Sequence, residues 1–231
     1  EIPFPPLPEQ QKIADILSTL DEQISTTGKI IEKSKELKKG LMQKLFSEGI
    51  GHTEFKDTKI GRVPKDWKLI SFGDLGEYYG GLSGKTKVNF GSGKPYIPFM
   101  NIMANDIIDV NYFDLVEIKG DEKQNKAVKG DVFFNTSSET PEEVGMCAVL
   151  LDDISDLYLN SFCFGFRLNE EAKKRYLPEY ISRFMNSGFG RRLMFPLAQG
   201  MTRYNLSKKY FVKLEIPFPP LPEQQKIADI L

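Results

Sequence analysis

Histidine is nearly absent from this chain: His52 is the only one in 231 residues. The two cysteines, Cys147 and Cys163, lie in separate apolar runs (GMCAVLL and SFCFGFRL). No CxxC spacing exists, so the usual ligand set for zinc cannot be assembled, and reduced core thiols are the expectation. His52 stands in a glycine-punctuated stretch, which disfavours a Ser-His or Cys-His catalytic pair. Also missing are G-x-G-x-x-G, a P-loop and the Asn-Pro-Pro-aromatic motif of amino-methyltransferases. Neither a metal nor a cofactor is therefore expected. No apolar run reaches membrane-spanning length and no signal peptide is visible, so the expectation is a cytoplasmic chain without a membrane partner.

Net charge is almost lacking as well, at −1, yet the average hides segregation. Residues 183–213 hold seven basic side chains and no acid, and residues 82–105 hold three lysines and no acid. The compensating carboxylates cluster in residues 106–122 and 139–156. One-signed stretches within a neutral total suit a protein with a polyanion-facing side, although a solvated lysine-rich face reads the same way. At 40% hydrophobic the chain has enough apolar residues for a real core.

What the sequence does hold is an exact repeat. EIPFPPLPEQQKIADIL occupies residues 1–17 and again residues 215–231. An identical segment at that separation marks a unit built to be joined to another like it. Residues 2–8 are too proline-dense for helix interior. From Pro-Glu-Gln-Gln to about Phe46 the pattern predicts one long helix, with Ile13, Leu17, Leu20, Ile24, Ile31, Leu41 and Leu45 near a seven-residue repeat. Thr27, Ser34 and Lys38 interrupt that seam. A helix of about thirty-five residues spans roughly 50 Å, which reads as a coiled-coil spacer requiring a partner helix.

Residues 48–62 read as a polar linker and residues 63–214 as a strand-rich domain, with strands predicted at LISFGDLGEYYGG, KPYIPFMNI, DVFFN, MCAVLL and LYLNSFCFGFRL. One helix is expected over residues 178–194 and a short one near Leu206-Ser207-Lys208. A strand at VKLEIPFP leads into the second helix start, expected to run about a turn and a half, over residues 215–231. The fold class is α+β, a strand-rich domain plus, over residues 1–47, a proline-rich entry and one long coiled-coil helix.

Three loops combine basic, amide and hydroxyl groups. In residues 80–102, Lys85, Lys87 and Lys94 offer charge for phosphates, while Asn89 and Asn101 offer the neutral bonds that base edges need. In residues 197–209, Gln199, Arg203 and Asn205 are the residue types suited to bidentate contact with adenine or guanine, and Thr202, Tyr204 and Lys208 stand beside them. Residues 134–145 present Asn135, Ser137, Ser138 and Glu139. The pair Arg191-Arg192 suits phosphates or a helix cap. Each loop alone is weak, since turns everywhere favour such residues; together with the charge segregation they favour double-stranded DNA. Two alternatives stay open. Asp109, Asp114, Glu117 and Lys119 form the skeleton of a metal-dependent nuclease, a spacing common by chance. A coiled-coil interaction module without DNA contact is the other.

The repeat, preceded in its second copy by GMTRYNLSKKYFVKLE, resembles the conserved region of specificity (S) subunits of type I restriction-modification systems. GKPYIPFMNI, KGDVFFNTSSETPEEVG and LYLNSFCFGFRL are similar to one class of target recognition domain in that family. The resemblance implies a non-catalytic subunit. In the family, two recognition domains each read half of a split site, and two antiparallel helices set the gap. The subunit then places adenine methyltransferase (M) subunits and, through them, restriction (R) subunits. With one recognition domain and one complete helix, this sequence resembles a half-subunit that would pair as a homodimer through antiparallel helices.

Overall fold

Residues 4–231 are described by a computed structural model. They form two units, Glu1–Leu41 and Met42–Leu231. The long helix occupies Leu7–Glu48, beginning slightly earlier and ending slightly later than its pattern predicts. It starts where Pro6 accepts from the amides of Glu9 and Gln10. It stops at Gly49, whose φ of +64° is the left-handed conformation glycine supplies at helix ends. Every residue from 11 to 40 is exposed, including Ile13, Leu17, Leu20, Ile24 and Ile31 of the predicted seam, and Ile16, Ile30 and Leu37 beside it. Leu45 differs: it is buried in the core of its own domain, so it is not available to a partner helix.

The second unit is built on a four-stranded antiparallel sheet in the order Gly76–Gly80, Cys163–Leu168, Val132–Asn135, Cys147–Val149. All four residues of Val132–Asn135 are buried, as a strand covered on both faces must be. On one side, Phe72, Phe134, Phe164, Phe166 and Phe211 form a ring cluster with centroids 4.3–6.0 Å apart. The helix Pro178–Asn186 buries Tyr180, Ile181, Phe184 and Met185, and Phe46 meets Tyr180 and Phe184 edge-on at 5.4 and 5.3 Å. A mixed sheet places Tyr158–Leu159, Phe90–Ile97 and Asp114–Val116 side by side. Asp131 is the one fully buried carboxylate among the described residues. It receives Arg167 through Nε and Nη2 at 2.8 and 2.7 Å and the Tyr79 hydroxyl at 2.5 Å. Burial and that carboxylate together hold the Tyr79 hydroxyl protonated.

Several expectations need correction. Residues 48–62 are not a bare linker: Phe55–Thr58 pairs with Gly61–Pro64 as a hairpin, and Lys56 ties it down by donating to the Trp67 carbonyl. The first predicted strand is broken by a helical turn at Phe72–Leu75, capped by Ser71. KPYIPFMNI is strand only to Ile97; beyond Pro98 it turns into the helix Phe99–Ala104. The single helix expected over residues 178–194 is two. Ser187 interrupts it, donating back to the Phe184 carbonyl and accepting from Gly190 N. The helices fold so closely that a side chain at position 190 would meet Met185 Cα at 2.4 Å. The second copy of the helix start runs Leu221–Ile230, ten residues rather than a turn and a half. No helix among the described residues is long and apolar enough to cross a membrane.

Candidate nucleic-acid interface

The region from Ala198 to Leu206 forms a tight hairpin, Ala198–Gln199 against Tyr204–Leu206, and the second strand pairs further with Ser137–Ser138. Gly200, at φ +143°, lets the turn close: a Cβ there would lie 2.1 Å from the Arg203 carbonyl oxygen. Register places Gln199 opposite Asn205 and Asn205 opposite Ser137. Two of the three loops singled out from sequence thus meet in one small sheet. Gln199, Thr202, Arg203, Asn205 and Glu139 are exposed on it, and Tyr204 is half-buried.

Arg203 has no carboxylate partner among the described residues; its guanidinium lies over the Phe162 ring at 5.6 Å. Phe162 is itself half exposed and is held in its turn by Asn160, which accepts from its amide. Sequence reasoning passed over Phe162 because it sits inside an apolar strand pattern; only its position between the Asn160 turn and the strand from Cys163 turns it outward. Met201, at the hairpin tip, is also exposed. Lys208 stands 5.3 Å above both Tyr78 and Phe164, and its partial burial lowers its pKa. Arg192 stacks on Phe189 at 4.5 Å and stays exposed.

Other nominated residues are committed to partners within the domain. Lys85 has a side chain only 4% exposed and is paired with Glu122 at 2.5 Å, so it offers no charge to a phosphate. Asn101 is fully buried; it donates to the carbonyls of Asp109 and Tyr112 and accepts from the Asp109 amide, fixing the loop after Phe99–Ala104. Arg191 is half-buried and donates to the carbonyls of Glu142, Val144 and Gly145, tying the 142–145 loop to its helix. Asn135 is buried and donates to the Glu143 carbonyl at 3.0 Å. Ser137 and Ser138 are buried within the sheet, Ser138 donating to Glu143 at 2.6 Å. Lys94 is held by Asp156 at 2.8 Å, and Asn89 caps its own turn by accepting from Thr86 N. Of the residues nominated in 80–102, Lys87 alone stays exposed and unpaired among the described contacts.

The nuclease skeleton does not assemble. Asp109 accepts from the Asn111 amide, Asp114 from the Tyr96 hydroxyl, and Glu117 from Asn89. Among the described residues no three His, Cys, Asp or Glu side chains come together as a metal site. Both cysteines are free and buried, and desolvation pushes the Cys147 thiol up to about 12 and Cys163 higher still. His52 lies against the C-terminal helix, with Nε2 2.9 Å from Glu223 Oε1 and Nδ1 3.3 Å from Asp66.

Over residues 1–36 and 64–231 the sequence matches the type I restriction modification DNA specificity domain, and the chain belongs to that family. Among its relatives, the type I restriction enzyme MjaVIII specificity subunit of Methanocaldococcus jannaschii is 28% identical, covering 100% of this chain and 54% of its own length. The EcoKI specificity subunit of Escherichia coli is also 28% identical, over 98% of this chain and 49% of its own. The HsdS subunit of Thermoanaerobacter tengcongensis has the same fold, with a TM-score of 0.55 at 19% identity over 99% of this chain. The chain spans about half the length of the curated relatives it matches.

Proposed function

We propose that this chain reads one half of a split sequence in double-stranded DNA through the hairpin Ala198–Leu206, and does so as one of two identical chains joined by their long helices. The pair would position methyltransferase subunits and, through them, restriction subunits. The observation that carries the reading is the hairpin itself. It presents Gln199, Thr202, Arg203 and Asn205 to solvent, with an arginine that no carboxylate among the described residues neutralises. A two-stranded ribbon fits the major groove, and these are the side chains that pair bidentately with purine edges. Lys87, Arg192, Lys208 and the exposed Lys209 and Lys213 supply charge for phosphates.

The test is duplex binding by the chain with its methyltransferase partner, across a library of split sequences and at several salt concentrations. Arg203→Ala or Asn205→Ala is expected to cost about 1–3 kcal/mol on the preferred duplex and to relax preference at one base pair. Lys87→Gln is expected to weaken all duplexes alike and to reduce the salt slope by about one. A complex that binds every duplex equally would overturn the reading.

A further inference from the structure

One sequence occurs here in two environments. In the C-terminal copy, Glu215–Phe218 pairs with Lys68–Ser71, and Phe218 and Ile227 are 2% and 0% exposed. Gln224 is fully buried, donating to the carbonyls of Pro219 and Arg175 and accepting from Leu177 N. Glu223 accepts from the Ile50 amide and contacts His52, and the Tyr180 hydroxyl donates to the Pro217 carbonyl. This segment is the occupant of a made-to-measure groove.

In residues 4–17 of the N-terminal copy the same side chains make the same local bonds, but they stand exposed. Gln10 Nε2 donates to the Pro5 carbonyl at 2.7 Å, matching Gln224 to Pro219 at 2.8 Å. Glu9 and Gln10 amides bond Pro6 as Glu223 and Gln224 bond Pro220. Yet Phe4 and Ile13, the counterparts of Phe218 and Ile227, are 81% and 46% exposed.

We propose that residues 4–17 of one chain are the second ligand of this groove, on a second copy of the chain, where they exchange with that copy's residues 215–231. The inference rests on the pairing of two chains proposed above and names a contact that pairing would make. Identity of sequence means that the apolar and hydrogen-bonding contacts made by Phe218, Glu223, Gln224 and Ile227 are matched by Phe4, Glu9, Gln10 and Ile13 of the incoming segment. The incoming segment is already shaped, so its ordering cost is small. The resident keeps the advantage of a short covalent tether. Pairing of the long helices gives the incoming copy a tether of its own, and the two then compete at comparable effective concentration. Each groove therefore has two alternative occupants of equal chemistry.

The experiment uses two full chains carrying tags of different size. One bears Glu9→Cys and the other His52→Cys, treated together with a short bismaleimide. A single chain bearing both Glu223→Cys and His52→Cys, across the observed contact, calibrates the reagent. Native Cys147 and Cys163 are buried, with their thiolates suppressed, and stay silent. The expected product is a mixed-size cross-linked dimer. It should be lost when Phe4→Ala and Ile13→Ser are added to the Glu9→Cys chain. It should rise about tenfold when Gln224→Ala loosens the resident segment of the His52→Cys chain. Light scattering on the same samples separates two failures. A dimer that gives no mixed product in either background overturns the exchange and leaves the pairing standing; a monomer at all concentrations overturns both.

Discussion

Asp156 shows how a charged residue type is spent before it reaches a partner. It accepts from Lys126 at 2.5 Å and from Lys94 at 2.8 Å, and these hydrogen bonds hold its carboxyl down at about 2. A carboxylate depressed in the folded state stabilises above its unfolded pKa, near 4, and loses that contribution as pH falls through the folded value. The clamp between the Phe90–Ile97 strand and the loop at residue 156 should therefore persist at pH 4 and open only near pH 2. A carboxyl-carbon NMR titration should give a midpoint at least one unit below the free side chain; a midpoint near 4 would contradict it. Lys85 and Arg191 teach the same lesson. Both look like phosphate contacts in sequence, and both are consumed by groups distant in the chain, Glu122 and the 142–145 carbonyls. Gln199, Arg203 and Asn205 stay exposed on the hairpin, with no ion pair among the described residues. A sequence names the residue type; whether its charge is free depends on pairings tens of residues away.

At the scale of elements, periodicity found the long helix and most of the strands, because both patterns depend only on neighbours within a few positions. It failed where packing overrides pattern. Residues 178–194 carry continuous helical spacing, and only the approach of Gly190 to Met185 shows why the chain bends at Ser187. The hairpin at Phe55–Thr58 was hidden by glycines and polar residues that read as a linker. The repeated segment supplies a controlled comparison. Gln224→Leu strips partners from the buried Leu177 amide and the Arg175 and Pro219 carbonyls, and should cost about 2–3 kcal/mol in urea unfolding. The identical change Gln10→Leu, in an exposed copy, should stay within about 0.5 kcal/mol under conditions where the chain is monomeric. Equal losses would mean the two copies are held alike.

For the whole molecule, the exposed stripe Ile13, Leu17, Leu20, Ile24 and Ile31 dominates. Soluble proteins seldom leave so regular an apolar row without a partner. Under the proposed pairing, Leu20→Glu with Ile24→Lys should raise the dimer dissociation constant about a hundredfold or more, read by light scattering across a dilution series, while far-UV circular dichroism of the domain's strands is retained. A dimer that survives both charges would place the contact elsewhere. The seam also shows the limit of sequence reading at this scale. Leu17 and Leu45 share a heptad position in sequence, yet one is open to solvent and the other is sealed in the domain with Phe46. Where the helix stops being a free rod and becomes part of a core is written in the domain, not in the repeat.

Trp67 is the only tryptophan in the chain, fully buried, with its ring edge-on to His52 at 6.2 Å and its indole nitrogen 3.4 Å from His52 Nε2. His52 in turn touches Glu223 of the C-terminal helix. The molecule thus carries a built-in lamp beside the one groove whose occupant is in question. Departure of residues 221–231 would let water reach the indole, shifting its emission to the red, and re-entry of any segment with the same sequence would return it to the blue. No dye is needed to watch the seam open and close.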